Sequence, residues 1–290
     1  MPLTDVTREL LIRYLDTWAP GALSGGRRAT FALVSGTAIS VPAAEAAVRV
    51  FAEFGDRLRG RELTMLVAGP GAEDARVRLA DVQAELRTPA GLTVHTLPDA
   101  ALLPAGLNAA RAGSAPLLVA LDGPADRETL RIVRAGRPGE LLMITEQGSE
   151  GVRNAGFSLH AAVELVDADG RALLLSLGTP SAKSLEAFKS ELWAVDEYAG
   201  VRLRDPKDPE GRLLDISLSP DPGPLRRALQ EHLDEVGACT VTELKHFTMT
   251  DTVYRPADTV RALHGLLDSE AVTREPEHGR LGGDVVIALS

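Results

Sequence analysis

The chain has 290 residues and a formal net charge of −10, from 31 Lys and Arg against 41 Asp and Glu. A chain this acidic does not bind polyanions through bulk electrostatics, so nucleic-acid binding would require a local basic patch. Its one cysteine, Cys239, excludes an intramolecular disulfide and a cysteine-rich metal site.

The first ten residues, MPLTDVTREL, carry neither a basic leader nor an apolar core, and no stretch approaches the ~20 apolar residues of a membrane helix. The six histidines lack the spacing of metal ligands. We therefore expect a cytoplasmic protein without a membrane contact and without a metal site.

Helical and strand patterns alternate through the first two thirds of the chain. The predicted helices are 4–18, 42–58, 72–87, 100–112 and 125–136. The predicted strands are 30–34, 62–69, 91–97, 116–123 and 139–146, followed by a hairpin of 157–168 and 171–179. We expect Pro20 and the glycine-rich turn behind it to end the first helix.

Strands separated by helices of this length predict a mostly parallel sheet with helices on both faces. The closing hairpin adds an antiparallel edge. This order is that of an α/β, Rossmann-like sheet of the class I methyltransferase type, although the pattern alone equally allows other doubly wound folds.

The last third of the sequence follows a different pattern. After a helix at 182–200, the stretch 205–224 is rich in Pro, Asp and Gly and predicts a linker. Three helices and a terminal hairpin then predict a C-terminal winged-helix domain. These elements are 223–237, 240–249, 256–270, 271–275 and 284–290. The predicted domains are therefore 1–205 and 223–290, joined by a linker at 206–222.

Two segments, 182-AKSLEAFKSELWAVDEYAGVRLRDP-206 and 253-VYRPADTVRALHGLLDSEAVTRE-275, resemble the three-Cys-motif partner proteins. The resemblance implies a fold like that of class I methyltransferases dependent on S-adenosylmethionine (SAM), with a C-terminal helical or winged-helix region. It does not imply activity, because the N-terminal half departs from the motifs of that family.

The departures concern the cofactor site. The first strand, 31-FALV-34, lacks the acidic residue of the family, and Ala38 stands where the turn would carry its second glycine. No carboxylate closes the second strand to hold the ribose hydroxyls. The candidate cofactor residues are Ser35, Gly36, Thr37, Gly69 and Glu73. We expect no cofactor, and SAM is the candidate if one binds.

Asp122 lies at the carboxyl end of the fourth strand, in a turn that resembles the family's Asp-Pro-x-Gly type with the order of Gly and Pro swapped. Ligands bind at the carboxyl ends of strands in open α/β sheets, so Asp122 is the candidate catalytic residue, as a general base or an amine-positioning acid. The alternative is an ordinary turn aspartate, since Gly and Pro follow directly.

Two further clusters are candidates for binding. The first combines acids, bases and aromatics. It predicts either a pocket wall or a partner-docking edge, or else a capped helix whose aromatics pack under the sheet while its charges pair with each other. Its members are Trp193, Asp196, Glu197, Tyr198, Arg202 and Arg204. The second consists of candidate nucleic-acid contacts on the third helix of the predicted winged helix and on its wing. Its members are Arg255, Arg261, His264, Arg274 and Arg280.

Charge disfavours the nucleic-acid interpretation, because residues 206–290 contain nine Lys and Arg against 15 Asp and Glu. The leading hypothesis is a non-catalytic methyltransferase-like scaffold or ligand-binding protein whose winged helix mediates assembly, with a protein partner or a second copy of the chain. One alternative is an active SAM-dependent methyltransferase acting on nucleic acid or a small molecule. Another is a winged-helix transcriptional regulator with a ligand-sensing domain.

Overall fold

A nine-stranded sheet organises most of the chain in the computed structural model, which describes residues 2–195 and 200–290. The order across the sheet is β3-β2-β1-β4-β5-β7-β6-β8-β9. The strands are β1 Arg28–Ser35, β2 Glu62–Ala68, β3 Leu92–Leu97, β4 Leu117–Asp122, β5 Gly139–Glu146, β6 Leu159–Val166, β7 Ala172–Thr179, β8 Arg202–Arg204 and β9 Leu213–Asp215.

Strands β1 to β5 pair in parallel, and β7 runs antiparallel to both β5 and β6. The predicted α/β class with a large, mostly parallel sheet is thereby confirmed. The first seven strands have the order expected for a class I methyltransferase-like Rossmann sheet. The parallel register places the ends of β1 and β4 side by side, with Ser35 opposite Asp122.

Helices cover both faces of the sheet because successive strand residues alternate between two cores. Phe31 and Leu118 face one core, while Ala32 and Val119 face the other. The first core also receives α1 Leu3–Ser24, α2 Val41–Glu53, α3 Ala72–Leu86 and α6 Ala182–Leu192. The second receives α4 Leu103–Ala109 and α5 Arg127–Ala135. No helix among the described residues combines the length and apolar character needed to cross a bilayer.

The expected end of the first helix at Pro20 is wrong, because α1 continues through Pro20 to Ser24. Proline inside a helix removes one backbone hydrogen bond. Ala19, Ala22 and Leu23 are buried on either side of it, and this burial holds the last turn against the core.

Residues 223–290 form a smaller unit, called here the C-terminal unit. It contains α7 Gly223–Val236, β10 Cys239–Thr240, α8 Val241–Asp251, α9 Pro256–Asp268, β11 Val272–Glu275 and β12 Val286–Leu289. The three strands pair in the order β10-β12-β11. Thr240 and Glu243 form a capping box at the start of α8. The order of elements agrees with the sequence pattern, and the assignment as a winged helix stays a prediction.

The stretch predicted as a linker contributes structure of its own. Strand β9 pairs with β8 and extends the sheet, and Ile216 behind it is buried. Asp208 accepts hydrogen bonds from Arg212 through both carboxylate oxygens. The domain boundaries stay a prediction. Residues 206–222 nevertheless contribute a strand to the sheet and a side chain to the core.

Candidate functional site

The carboxyl ends of β1 and β4 bring three of the predicted residues together. The Ser35 hydroxyl lies 3.4 Å from a carboxylate oxygen of Asp122 and 3.3 Å from the Thr37 hydroxyl. Asp122, Gly36 and Thr37 are exposed to solvent, while Ser35 is buried. This group, called here the carboxyl edge, has the position of a ligand site in an open α/β sheet, but its polar contacts are long and therefore weak.

The turn after β1 uses its amide groups internally. The N–H groups of Thr37 and Ala38 both donate to the Ser35 hydroxyl, each over 3.3 Å. In a phosphate- or cofactor-binding turn such N–H groups face the ligand. Here they close a serine turn, so a ligand would have to displace the hydroxyl to use them.

Gly69 lies beside this turn, where the backbone conformation and the space both favour glycine. Its φ of +144° is a value that side chains rarely allow, and an added Cβ would lie 2.3 Å from the carbonyl oxygen of Ser35. Glycine therefore lets the end of β2 pack directly against the end of β1.

Glu73 is separated from the carboxyl edge by its own ion pair. It lies in the first turn of α3, exposed, and its carboxylate accepts hydrogen bonds of 2.6 and 3.0 Å from the Arg76 guanidinium. That guanidinium lowers the pKa of Glu73. The arrangement is a helix-surface pair of the i, i+3 type rather than a ribose contact.

Trp193, predicted in a partner or pocket cluster, is buried against the C-terminal unit. Its indole N–H donates to the carbonyl oxygen of Val253 over 3.1 Å, and its ring stacks on that of Tyr254. It thus joins two parts of the same chain.

The rest of that cluster is spread out. Arg204 pairs with Glu164 at 2.5 Å, and Arg202 pairs with Asp215 at 3.4 Å on an exposed surface. Three further members lie outside the described residues: Asp196, Glu197 and Tyr198.

The candidate nucleic-acid contacts are mostly occupied within the chain. Arg255, Arg261 and Arg274 each donate to main-chain carbonyl oxygens of neighbouring turns. His264 and Arg280 are exposed. Only part of the predicted set therefore presents its donors outward.

A buried lysine that was not among the predicted site residues connects α6 to the C-terminal unit. The Lys189 ammonium donates to three carbonyl oxygens at the end of α8 and just beyond it, those of Thr248 (2.9 Å), Thr252 (2.5 Å) and Tyr254 (3.0 Å). A cation at this position compensates the negative end of the helix dipole. Burial lowers the pKa of Lys189 to about 7.

A signal for Lys189 exists in the sequence. Leu185, Lys189 and Trp193 follow one another at intervals of four, so they share one face of α6. A lysine inside an apolar stripe that ends in tryptophan indicates a buried, partnered amine.

The interface pocket is a cavity of about 360 Å³ between the sheet and the C-terminal unit. Titratable side chains from four segments line it: Glu150, Arg153, His160, Glu164, Asp205, Lys207 and Asp251. Lys207 pairs with Asp251 at 2.9 Å. Burial lowers the pKa of His160, and Lys207 and Arg153 act in the same direction. Burial raises the pKa of Asp205. Shifted pKa values gathered at one cavity are typical of functional sites.

Comparison with known proteins adds no assignment to what the strand order shows. No family model and no curated protein matches the sequence. Among solved structures, the chain is similar to phosphoethanolamine N-methyltransferase 1 of Haemonchus contortus, solved with phosphoethanolamine and S-adenosylhomocysteine. Identity is 11%, the TM-score is 0.36, and the match covers 62% of this chain and 45% of that one.

This chain thus spans less than half of that methyltransferase. A likeness at this level carries no functional information, and the fold assignment follows from the strand order itself. Membership among the three-Cys-motif partner proteins stays a prediction.

Proposed function

We propose that this chain is a non-catalytic member of the methyltransferase-like fold that serves as a ligand-binding or assembly scaffold. The observation that carries the proposal is the end of β2, where Gly69 packs on the Ser35 carbonyl and the nearest following glutamate, Glu73, is paired with Arg76. A ribose carboxylate accepts two charge-assisted hydrogen bonds of roughly 1.5–3 kcal/mol each. Losing both lowers SAM affinity by several orders of magnitude.

Calorimetric titration with SAM and S-adenosylhomocysteine tests this proposal. We expect no saturable heat at micromolar ligand. Micromolar binding to the wild type that disappears in Asp122→Asn would instead establish a working cofactor site at the carboxyl edge.

One observation favours a second candidate function, SAM-dependent methyl transfer. Asp122 is exposed at the end of a central strand and lies beside the Ser35 hydroxyl. A carboxylate at that place is able to orient an amine or accept a proton from it. Transfer of a labelled methyl group from SAM to any acceptor would favour this candidate.

We further propose that the C-terminal unit is a winged helix used for protein contacts. The turn between α8 and α9 packs on α6 through Lys189 and Trp193. Because α9 begins directly after that turn, a DNA groove could reach its start only if the unit left α6. The three arginines already bound to main-chain carbonyls support the same conclusion.

Light scattering and gel-shift titration separate the alternatives. We expect a self-associated species, or a complex with a protein partner, and no retardation of genomic DNA fragments. Retardation that weakens steeply with salt would favour the transcriptional regulator, because phosphate contacts release counterions.

A further inference from the structure

The interface pocket draws its walls from both parts of the protein. The loop between β5 and β6 supplies Arg153, β6 supplies His160, and the turn after β8 supplies Lys207. The end of α8 and the next residue, 250–252, close the far side. Ligand sites occur preferentially between structural units and gather a few convergent polar groups.

The carboxylates of the pocket already have partners within the chain. Each accepts a hydrogen bond or ion pair from a neighbouring group. The pairs are Glu164 with Arg204 (2.5 Å), Asp251 with Lys207 (2.9 Å), Glu150 with the Asn154 amide (2.7 Å) and Asp205 with the Lys207 N–H (2.8 Å). An added cation would therefore compete with groups that are already in place. No group of three metal-ligating side chains occurs among residues 2–195 and 200–290 either.

Of the two basic side chains that line the pocket, Lys207 is already paired with Asp251, and Arg153 differs from it. Arg153 is exposed at the rim, and within the described parts of the chain its guanidinium makes no hydrogen bond or ion pair. Burial, Lys207 and Arg153 lower the pKa of His160 while Asp251 raises it, so two positive charges and one negative charge act on that imidazole. A neutral imidazole also presents an N–H donor.

We propose that the interface pocket binds a small molecule carrying an oxyanion, a phosphate or a carboxylate. The planar guanidinium of Arg153 pairs with two oxygens of the anion, and Lys207 and His160 add charge and a donor. This inference rests on the proposed role as a ligand-binding scaffold and assigns that role a place and a ligand chemistry away from the carboxyl edge.

Binding in the interface pocket would also stabilise the contact between the C-terminal unit and the sheet. A ligand that contacts both sides of the pocket binds only while the C-terminal unit is packed against the sheet. Its binding therefore stabilises that packing by mass action. Amide hydrogen exchange in residues 248–254 should then slow as the ligand is added.

The test uses the full chain, with sodium phosphate and sodium malonate titrated at constant ionic strength set with sodium chloride. We expect Tm to rise with the logarithm of the anion concentration above Kd in the wild type and in Arg131→Gln, whose arginine is exposed in an ion pair with Glu128 outside the pocket. Arg153→Gln should weaken the response about tenfold or more, the loss expected for a charge-assisted contact. The two arms separate a phosphate ligand from a carboxylate ligand.

Either of two results would overturn the inference. One is a wild-type Tm that does not rise with either anion, and the other is an equal response in Arg153→Gln and Arg131→Gln. If Arg153→Gln fails to fold, His160→Gln must show the weakened response in its place. SAM binding measured on the same wild-type sample reports on the proposed function separately, because SAM addresses the carboxyl edge.

Discussion

Residues 248–254, which contact α6, are called here the docking segment. This segment and the carboxyl edge differ in the strength of their polar contacts. At the carboxyl edge, the hydroxyl of buried Ser35 meets groups of exposed Thr37 and Asp122 over 3.3–3.4 Å. At the docking segment, the buried side chains of Lys189 and Trp193 donate over 2.5–3.1 Å to main-chain carbonyls. Ligands of open α/β sheets bind at the position of the carboxyl edge, yet the stronger polar contacts of this chain lie at the docking segment.

This difference shows that position in a fold and chemical content are separate properties. A strand end in an open sheet is available for binding whatever residues occupy it. Buried polar groups, by contrast, must find partners or they destabilise the protein. The docking segment is therefore the place where substitutions should act most strongly on stability.

The largest effect is expected from Trp193→Ala. The indole is buried and stacks on Tyr254, so truncation should lower the free energy of unfolding by ~3–5 kcal/mol. Urea unfolding followed by circular dichroism measures the change. Trp193→Phe keeps a ring but loses the N–H bond to Val253, and it should lose a smaller amount.

If Trp193→Ala unfolded at the same urea concentration as the wild type, the docking segment would not be the place where substitutions act most strongly on stability. Such a result would mean that the C-terminal unit is held mainly by other contacts, such as the Lys207–Asp251 ion pair.

The second effect is a dependence of stability on pH through Lys189. Its pKa is about 7 in the folded chain against 10.5 as a free side chain, and the nearby charges are Asp205, Lys207, Asp251 and Asp258. Between these two pH values the unfolded chain holds a proton that the folded chain lacks. The free energy of unfolding should therefore rise with pH across this window, by on the order of a few kcal/mol relative to Lys189→Met.

Urea unfolding of wild type and Lys189→Met at pH 7 and pH 10 measures this difference, and Lys183→Met on the exposed side of α6 is the control. An unchanged difference between the two pH values would mean that the three carbonyl acceptors keep the ammonium charged throughout.

The sequence predicted the sheet because buried strands and covering helices leave strong periodic patterns. The buried Lys189 was not predicted, although its spacing from Leu185 and Trp193 is a signal for it. The sequence also missed the continuation of α1 through Pro20, since tertiary burial there outweighs the local preference of proline. It could not predict the interface pocket, because segments distant along the chain meet only after folding.

The third effect concerns the backbone of the carboxyl edge. Gly69→Ala forces a Cβ to within 2.3 Å of the Ser35 carbonyl oxygen at a φ of +144°, and should lower stability by ~1–3 kcal/mol. Gly36→Ala is the matched control, because an added Cβ there meets nothing within 4 Å. Equal stability of the two variants, measured by thermal unfolding, would mean that the strand ends separate easily enough to admit a ligand.

The smallest effect is expected from Asp122→Asn. The side chain is exposed and its contact with the Ser35 hydroxyl spans 3.4 Å, so unfolding in urea should change by less than ~0.5 kcal/mol. An amide keeps the shape of the carboxylate and can still accept from Ser35, so only the charge is removed. A clear gain in stability would be informative in the opposite sense. It would show that the charge of Asp122 lowers the stability of the fold, as charges in ligand-binding sites do. The end of β4 would then be a better candidate for a ligand site than the interface pocket.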